Sequence, residues 1–292
     1  MAIGELHLQV PAAAAPERAP ELRRIIAATR AQVEVASDKP GFQLETAFGL
    51  IVVGRRVPSA AWIIARAAWE CLGAYSPAAL HGTLSASQIA ALPGQQAAAD
   101  KVSCCLDHAH ELLHATDVKT FDWPACVPLP EDQAATPVDE VARDITMIAW
   151  AFVLLHELKH VQLASGHQQP LSRLDEERAC DAFAISFLLD DVDRYATTAG
   201  KPLQLARDLR AMGAITGLFL VALIGQDAGD SHAPARERFS MLFDKVGVQP
   251  VQWFWLYAAV LLMGTLQARR KDFHLDSLRL DRSGLETLLN QL

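Results

Sequence analysis

AWAFVLLHELKHVQLASG, residues Ala149 to Gly166, is an apolar run long enough for a helix, and it contains a His-Glu-x-x-His pentapeptide. On a helix, His156 and His160 lie one turn apart on the same face, so their imidazole nitrogens can converge on one zinc ion. Glu157 is rotated by about 100° from His156, which puts a carboxylate beside the metal without making it a ligand. The pattern therefore predicts a helix that carries a zinc site, with Glu157 as the general base.

A second copy of the pentapeptide, HELLH at His110 to His114, lies upstream, and spacing alone cannot choose between the two copies. Lys159 counts against the downstream copy, because helices of this kind usually have uncharged residues between the Glu and the second His. The upstream copy, however, is followed by a proline-rich loop that holds Glu131 and Asp132, and no helix follows that could supply a further ligand. We therefore favour the downstream copy and expect the upstream one to be a helix flank.

A catalytic zinc ion needs three protein ligands and an open position for water. Downstream of His160, Gly166 can end the helix, and a second amphipathic helix begins near Asp175. Glu177 and Asp181 lie four residues apart and share one face of that helix. This spacing predicts Glu177 as the third ligand of one Zn²⁺ per chain. Asp181 is then the outer acceptor that fixes a histidine tautomer.

The composition of the chain excludes several classes of protein. A net charge of −8 and a pI near 5.7 over 292 residues argue against a nucleic-acid binder. Five cysteines, an odd number without CxxC pairs, do not form a disulfide framework, and the N-terminus lacks the pattern of a secretory signal. We therefore expect a cytoplasmic protein whose partner is a protein or peptide substrate. Nothing in the sequence specifies an oligomeric state.

The order of apolar patterns predicts a mainly α (α+β) fold with at most a small β element around residues 42–54. The pentapeptide helix makes this helical core resemble that of the zincins, so a zincin-like helical core is expected. Residues 1–20 are expected to be an N-terminal arm, extended through the Ala/Pro-rich segment Pro11 to Pro20. Glu21 to Val35 is expected to be a helix. Residues 21–292 would form a single metallopeptidase domain, with the active-site part at about 138–240.

The segment Val246 to Ala268 carries no charge and contains Trp253, Trp255 and Tyr257 near one end. It meets the minimum length for a membrane-spanning helix. Pro250, Gly264 and polar residues dilute the apolar run, so we expect a buried core helix, with membrane insertion as the alternative.

A third element, DSHAPARERF at residues 230–239, begins at a loop-to-helix junction. Its Ser-His-x-Pro sequence, with Arg238 six residues after His232, resembles the Ser-His-Pro-Pro…Arg element of gluzincin peptidases, including the prenyl-protein endopeptidase clan. The resemblance implies that His232 stabilises the oxyanion and that Arg238 has a supporting ion-pair role. Ala233 stands where those families have a proline.

From about Ile145 to Phe239, the order of the three elements looks most like the Lit-type phage-exclusion peptidases, a bacterial family of cytoplasmic metalloproteases. That family cleaves a host protein, elongation factor Tu, upon phage infection. Over a shorter stretch, ERACDAFA from Glu177 is similar to the Glu-x-x-Ala-Asn-x-Phe-Ala helix of ImmA-type proteases. No motif before about residue 140 matches a family.

The predicted function is therefore zinc-dependent hydrolysis of a peptide bond in a protein substrate, with a role in phage defence. Two alternatives remain open at this point. One is a regulatory or sensor protein that holds zinc without proteolysis, against which Glu157 argues, because a structural zinc needs no carboxylate beside it. The other is a membrane-associated gluzincin protease.

Overall fold

The structure is a computed structural model, and it describes residues 3–36, 44–47, 49–81, 83–115, 121–130, 136–166, 172–225, 235–247, 253–269 and 277–291. Its helices are α1 (Ile3–Ala14), α2 (Ala19–Thr29), α3 (Arg56–His81), α4 (Ala86–Ala90), α5 (Gln95–His114), α6 (Pro137–Ser165), α7 (Arg173–Leu189), α8 (Val192–Ala199), α9 (Leu203–Gly225), α10 (Ala235–Val246), α11 (Trp253–Arg269) and α12 (Arg282–Leu289). Its strands are β1 (Gln32–Ala36), β2 (Leu44–Ala47), β3 (Leu50–Gly54), β4 (Thr83–Ser85) and β5 (Ser277–Arg279). The predicted class, mainly α with a small β element, is confirmed.

Helix α6 lies at the centre of the helical core, where it packs against α3, α7 and α9. Every residue from Ile148 to Leu158 is buried, as expected for a helix that is apolar on all sides. Two glycines of α9 allow its backbone to approach closely. A Cβ atom on Gly213 would lie 2.4 Å from Ile148 Cβ, and one on Gly217 would lie 2.7 Å from Phe152 Cβ.

The larger sheet has the strand order β1-β3-β2, with β1 parallel and β2 antiparallel to β3. The β element expected around residues 42–54 therefore contains β2 and β3, and α6 packs against both. The helix predicted from Glu21 to Val35 is wrong in its second part, because α2 ends at Thr29 and β1 follows. Val33 is buried between two exposed neighbours, which is the period of a strand and not of a helix.

The segment from Pro11 to Pro20 was expected to be extended, but it is helical. It holds the end of α1, a 3₁₀ turn at Pro16–Arg18 and the start of α2. Alanine is the best helix former, and Pro16 and Pro20 lie in the first turns of the 3₁₀ turn and of α2, where proline is tolerated. Pro11 lies inside α1. Glu17 forms a bidentate ion pair with the buried Arg210 of α9. The division into an arm, residues 1–20, and one domain, residues 21–292, stays a prediction.

Helix α11 occupies most of the described part of the segment Val246 to Ala268. Its residues Phe254 to Gly264 are all buried, and it packs against α3, α5, α9 and α12. The expected core helix is therefore present here. Within the described residues, no helix has both the length and the apolar character that crossing a membrane requires.

Candidate metal centre

Helix α6 carries the downstream pentapeptide on a well-defined frame. Its first turn is capped by Thr136, whose hydroxyl accepts a hydrogen bond from the backbone N–H of Asp139, and Pro137 opens the helix. Toward its other end, His156 and His160 face each other one turn apart, with their Nε2 atoms separated by 3.2 Å. At this spacing the two ring nitrogens can share a proton or a metal ion between them.

Helix α7 brings Glu177 to the same point. Its Oε2 atom lies 3.5 Å from Nε2 of His156, and its Oε1 atom lies 3.5 Å from Nε2 of His160. Ligand atoms around a tetrahedral zinc ion lie about 3.3 Å apart, because each is about 2.0–2.1 Å from the metal. The two imidazoles and this carboxylate therefore have the spacing of a zinc ligand set.

Cys180 is a further candidate ligand on α7. Its Sγ atom and the ring nitrogens of His156 and His160 lie within 4.8 Å of one another, so these three residues could hold a metal ion. The thiol is fully buried, and burial raises the pKa of Cys180 well above its usual value. A metal would have to displace the thiol proton before Cys180 could bind it.

Each histidine donates or accepts at its other ring nitrogen. His156 Nδ1 lies 3.0 Å from Asp181 Oδ1, and His160 Nδ1 lies 2.7 Å from Glu176 Oε1. Carboxylates in these positions orient imidazoles and turn Nε2 toward a metal. The sequence pattern indicated Asp181 but missed Glu176, although its place immediately before Glu177 was a legible signal.

Asp181 is also bound by the third element of the site. Arg238 of α10 donates from Nε to Oδ2 and from Nη2 to Oδ1, each at 2.6 Å, and both side chains are buried. Burial by itself would raise the pKa of Asp181, but the hydrogen bonds and charges of His156 and Arg238 outweigh it and lower that pKa. Burial by itself would lower the pKa of His156, but Asp181 and Glu177 raise it to about 9.

Glu157 lies beside the two imidazoles and is only 7% exposed. Its Oε1 atom is 4.0 Å from Nε2 of His156, farther from that nitrogen than Oε2 of Glu177, which lies at 3.5 Å. Its Oε2 atom accepts a hydrogen bond from the hydroxyl of Thr46 on β2. Glu157 thus has the position of a carboxylate next to a metal centre, and Thr46 is a contact that the sequence did not indicate.

The structure tests the expectation for Lys159 but not the one for His232. His232 and the rest of the Ser-His element lie outside the described residues, so the position of His232 beside the site stays a prediction. Lys159 lies away from the imidazoles, where its Nζ atom donates to Gln162 and lies 5.6 Å from the centre of the Phe183 ring. Its charge is therefore compatible with the pentapeptide.

The upstream pentapeptide lies on α5 with the rings of His110 and His114 4.4 Å apart. Glu111 between them is exposed. Among the described residues, the group with His156 is the one that gathers three potential metal ligands, and the upstream histidines belong to no such group. This agrees with the expectation that the upstream copy is a helix flank.

Comparison with known proteins adds a family to this geometry. The model of the peptidase U49 family matches residues 51–258, a range that contains α6, α7 and α10. Neither the curated proteins nor the solved structures compared with the chain contain a match. Since the family model covers most of the chain, including all of the described metal centre except Thr46, the chain belongs to the peptidase U49 family.

Proposed function

We propose that this chain is a zinc-dependent endopeptidase that hydrolyses a peptide bond in a protein substrate. One observation carries the proposal. The Nε2 atoms of His156 and His160 and the carboxylate of Glu177 converge at the separations of a tetrahedral ligand set, with a second acidic side chain, Glu157, beside them. A peptidase family with this donor set is best explained by metal-dependent hydrolysis.

In this proposal His156, His160 and Glu177 hold one Zn²⁺ per chain. The donor set fits zinc, which prefers nitrogen and oxygen ligands from His and Glu and keeps an open fourth position at catalytic sites. When bound, the ion would lower the pKa of a water molecule and polarise the scissile carbonyl. The carboxylates of Asp181 and Glu176 keep the imidazoles oriented for that role.

Glu157 acts as the general base and then as the general acid. Its carboxylate accepts a proton from the attacking water at Oε1 and passes that proton to the leaving amine nitrogen. His232, carried over from the resemblance to gluzincin peptidases, stabilises the negative charge on the carbonyl oxygen. Arg238 supports the site through Asp181, whose negative charge it balances in a buried environment.

The biological setting that we propose follows from the resemblance to Lit-type phage-exclusion peptidases. The protein would act in the bacterial cytoplasm on a host protein during phage infection. A peptidase acts on proteins or peptides, and the acidic chain has no feature of a nucleic-acid binder. The site lies within residues 138–240 of the proposed single domain, residues 21–292.

Replacement of the proposed base tests the function. Glu157→Gln keeps the shape of the side chain but cannot accept the proton. We expect it to bind about one zinc per chain, as wild type does, and to lose hydrolysis of fluorescein-labelled casein by at least about a hundredfold. Comparison of the proteomes of bacteria that express wild type or Glu157→Gln would identify the natural substrate by a new fragment.

Two results would contradict the proposal. Wild-type protein that binds no zinc would exclude a zinc enzyme. Zinc-loaded protein that cleaves neither casein nor any cellular protein would favour the zinc-containing sensor that the sequence left open.

A further inference from the structure

Thr46 connects the small sheet to the metal centre. It lies on β2 opposite the fully buried Ile51 of β3, and its hydroxyl donates a hydrogen bond to Oε2 of Glu157. Helix α6 packs against both strands. A residue more than a hundred positions away in the sequence therefore holds one oxygen of the carboxylate that we propose as the general base.

The two oxygens of Glu157 have different environments. Oε1 lies 4.0 Å from Nε2 of His156, on the side of the metal centre, while Oε2 is bound by Thr46. A glutamate side chain has several rotatable bonds, so a carboxylate without a partner can turn away from the position that a reaction requires. A hydrogen bond to a charged acceptor is strong where water is excluded, and Glu157 is only 7% exposed.

We propose that Thr46 is a positioning residue that holds Oε2 of Glu157 so that Oε1 alone faces the metal centre. This inference rests on the proposed function, in which Glu157 is the general base. Oε2 remains an acceptor whether or not Oε1 carries a proton, so the hydrogen bond from Thr46 can persist through both proton transfers. Thr46 lies before the residues 51–258 that the family model matches, so that match assigns it no role.

A kinetic experiment tests the positioning role. Thr46→Val keeps the shape of the side chain but removes the hydroxyl, and Thr46→Ser keeps the hydroxyl. With zinc-loaded protein and fluorescein-labelled casein, we expect Thr46→Val to lower kcat by about tenfold and to leave KM within about twofold, because only the orientation of the base is lost. Thr46→Ser should restore most of kcat.

Thr265→Val is the matched control for these variants. It removes a hydroxyl that bonds to a backbone carbonyl within α11, away from the centre, so kcat should not change. A wild-type kcat in Thr46→Val, or a Thr46→Ser variant as slow as Thr46→Val, would overturn the positioning role.

A second experiment needs neither metal nor substrate. If the hydrogen bond exists in solution, Thr46→Val lowers the melting temperature of the metal-free protein but has little effect in a Glu157→Ala background. An equal drop in both backgrounds would overturn the contact. Wild-type protein that binds no zinc and cleaves nothing would overturn the proposed function instead, and the melting experiment would still report on the bond itself.

Discussion

The guanidinium of Arg238 and the carboxylate of Asp181 are joined by two hydrogen bonds of 2.6 Å, and neither side chain reaches solvent to any extent. Asp181 also contacts Nδ1 of His156, so the pair links α10, α7 and α6 through one carboxylate. Removal of the cation would leave a buried anion that only an imidazole could balance.

Arg238→Ala should therefore lower the free energy of unfolding by about 3–5 kcal/mol, because it breaks a buried ion pair and leaves one charge behind. Urea unfolding followed by circular dichroism measures the change. The control is Arg178→Ala, which removes a similar contact between α7 and Glu237 of α10 with both side chains 39% exposed. Such a solvent-exposed pair contributes little to stability, because water screens its charges. Equal losses in the two variants would contradict this account of Arg238.

The third ligand can be identified by zinc affinity. We expect Glu177→Ala to weaken zinc binding by more than about a hundredfold, since loss of an outer-shell partner alone costs about 10–100-fold. Cys180→Ala should weaken it by less than about tenfold, because the carboxylate of Glu177 already lies 3.5 Å from both Nε2 atoms. Equilibrium dialysis followed by metal analysis measures both. The opposite order would assign the third position to Cys180.

Because α9 and α6 lie in close contact at Gly213, replacement of a glycine by alanine should lower stability there but raise it at an exposed helical glycine. Gly213→Ala would place a Cβ atom 2.4 Å from Ile148 Cβ, so the helices must separate, at a cost of about 1–3 kcal/mol. Gly73 of α3 is exposed, and a Cβ atom added to it would have no neighbouring atom within 4 Å. Gly73→Ala should therefore raise stability by about 0.5–1 kcal/mol. Thermal melting measures both, and destabilisation by both variants would contradict the packing argument.

Asp208 of α9 gives the protein a pH dependence away from the metal centre. Burial raises its pKa to about 6, although Gln204 and the backbone N–H groups of Trp253 and Phe254 partly oppose that rise. The raised pKa means that the folded protein holds the proton on Asp208 more tightly than the unfolded chain does. The free energy of unfolding that this proton contributes is complete below about pH 4 and is lost as pH rises through about 6. The protein should therefore lose stability at this residue mainly as pH rises from about 4 to about 6.

Asp208→Asn stays neutral at every pH. It should match wild type near pH 4 and exceed it above pH 7, by on the order of 2–3 kcal/mol. Urea unfolding at several pH values measures the difference, and the exposed Asp193→Asn of α8 controls for the loss of a surface carboxylate. A difference between Asp208→Asn and wild type that is constant with pH would show that the carboxyl of Asp208 does not titrate in this range.

Helices α6 and α7 and their metal-binding faces could be predicted from the sequence, because the patterns that indicate them are local. The pentapeptide, the helix end at Gly166 and the spacing of Glu177 and Asp181 depend on residues within one or two turns, and α6 and α7 form as predicted. The resemblance to gluzincins also marked Arg238 as part of an ion pair. Its partner, Asp181, belongs to the same predicted group.

The rest depends on contacts between distant segments. Nothing in the sequence around Thr46 indicates that its strand would lie against α6, because the local sequence of a strand does not specify which element packs against it. Glu176 points about 100° away from Glu177 around the helix, so it does not lie on the face that Glu177 and Asp181 share. Val33 was assigned to a helix because its apolar neighbours upstream are helical, while its own alternation is that of β1.

Because α6 is enclosed from Ile148 to Leu158, backbone amide exchange along this part of the helix should require opening of the whole core and not a local fluctuation. The two histidines of the centre lie within or just beyond that enclosed stretch. A protein built in this way should unfold in one cooperative step on heating, and the helix that carries the pentapeptide should not loosen before the rest of the core.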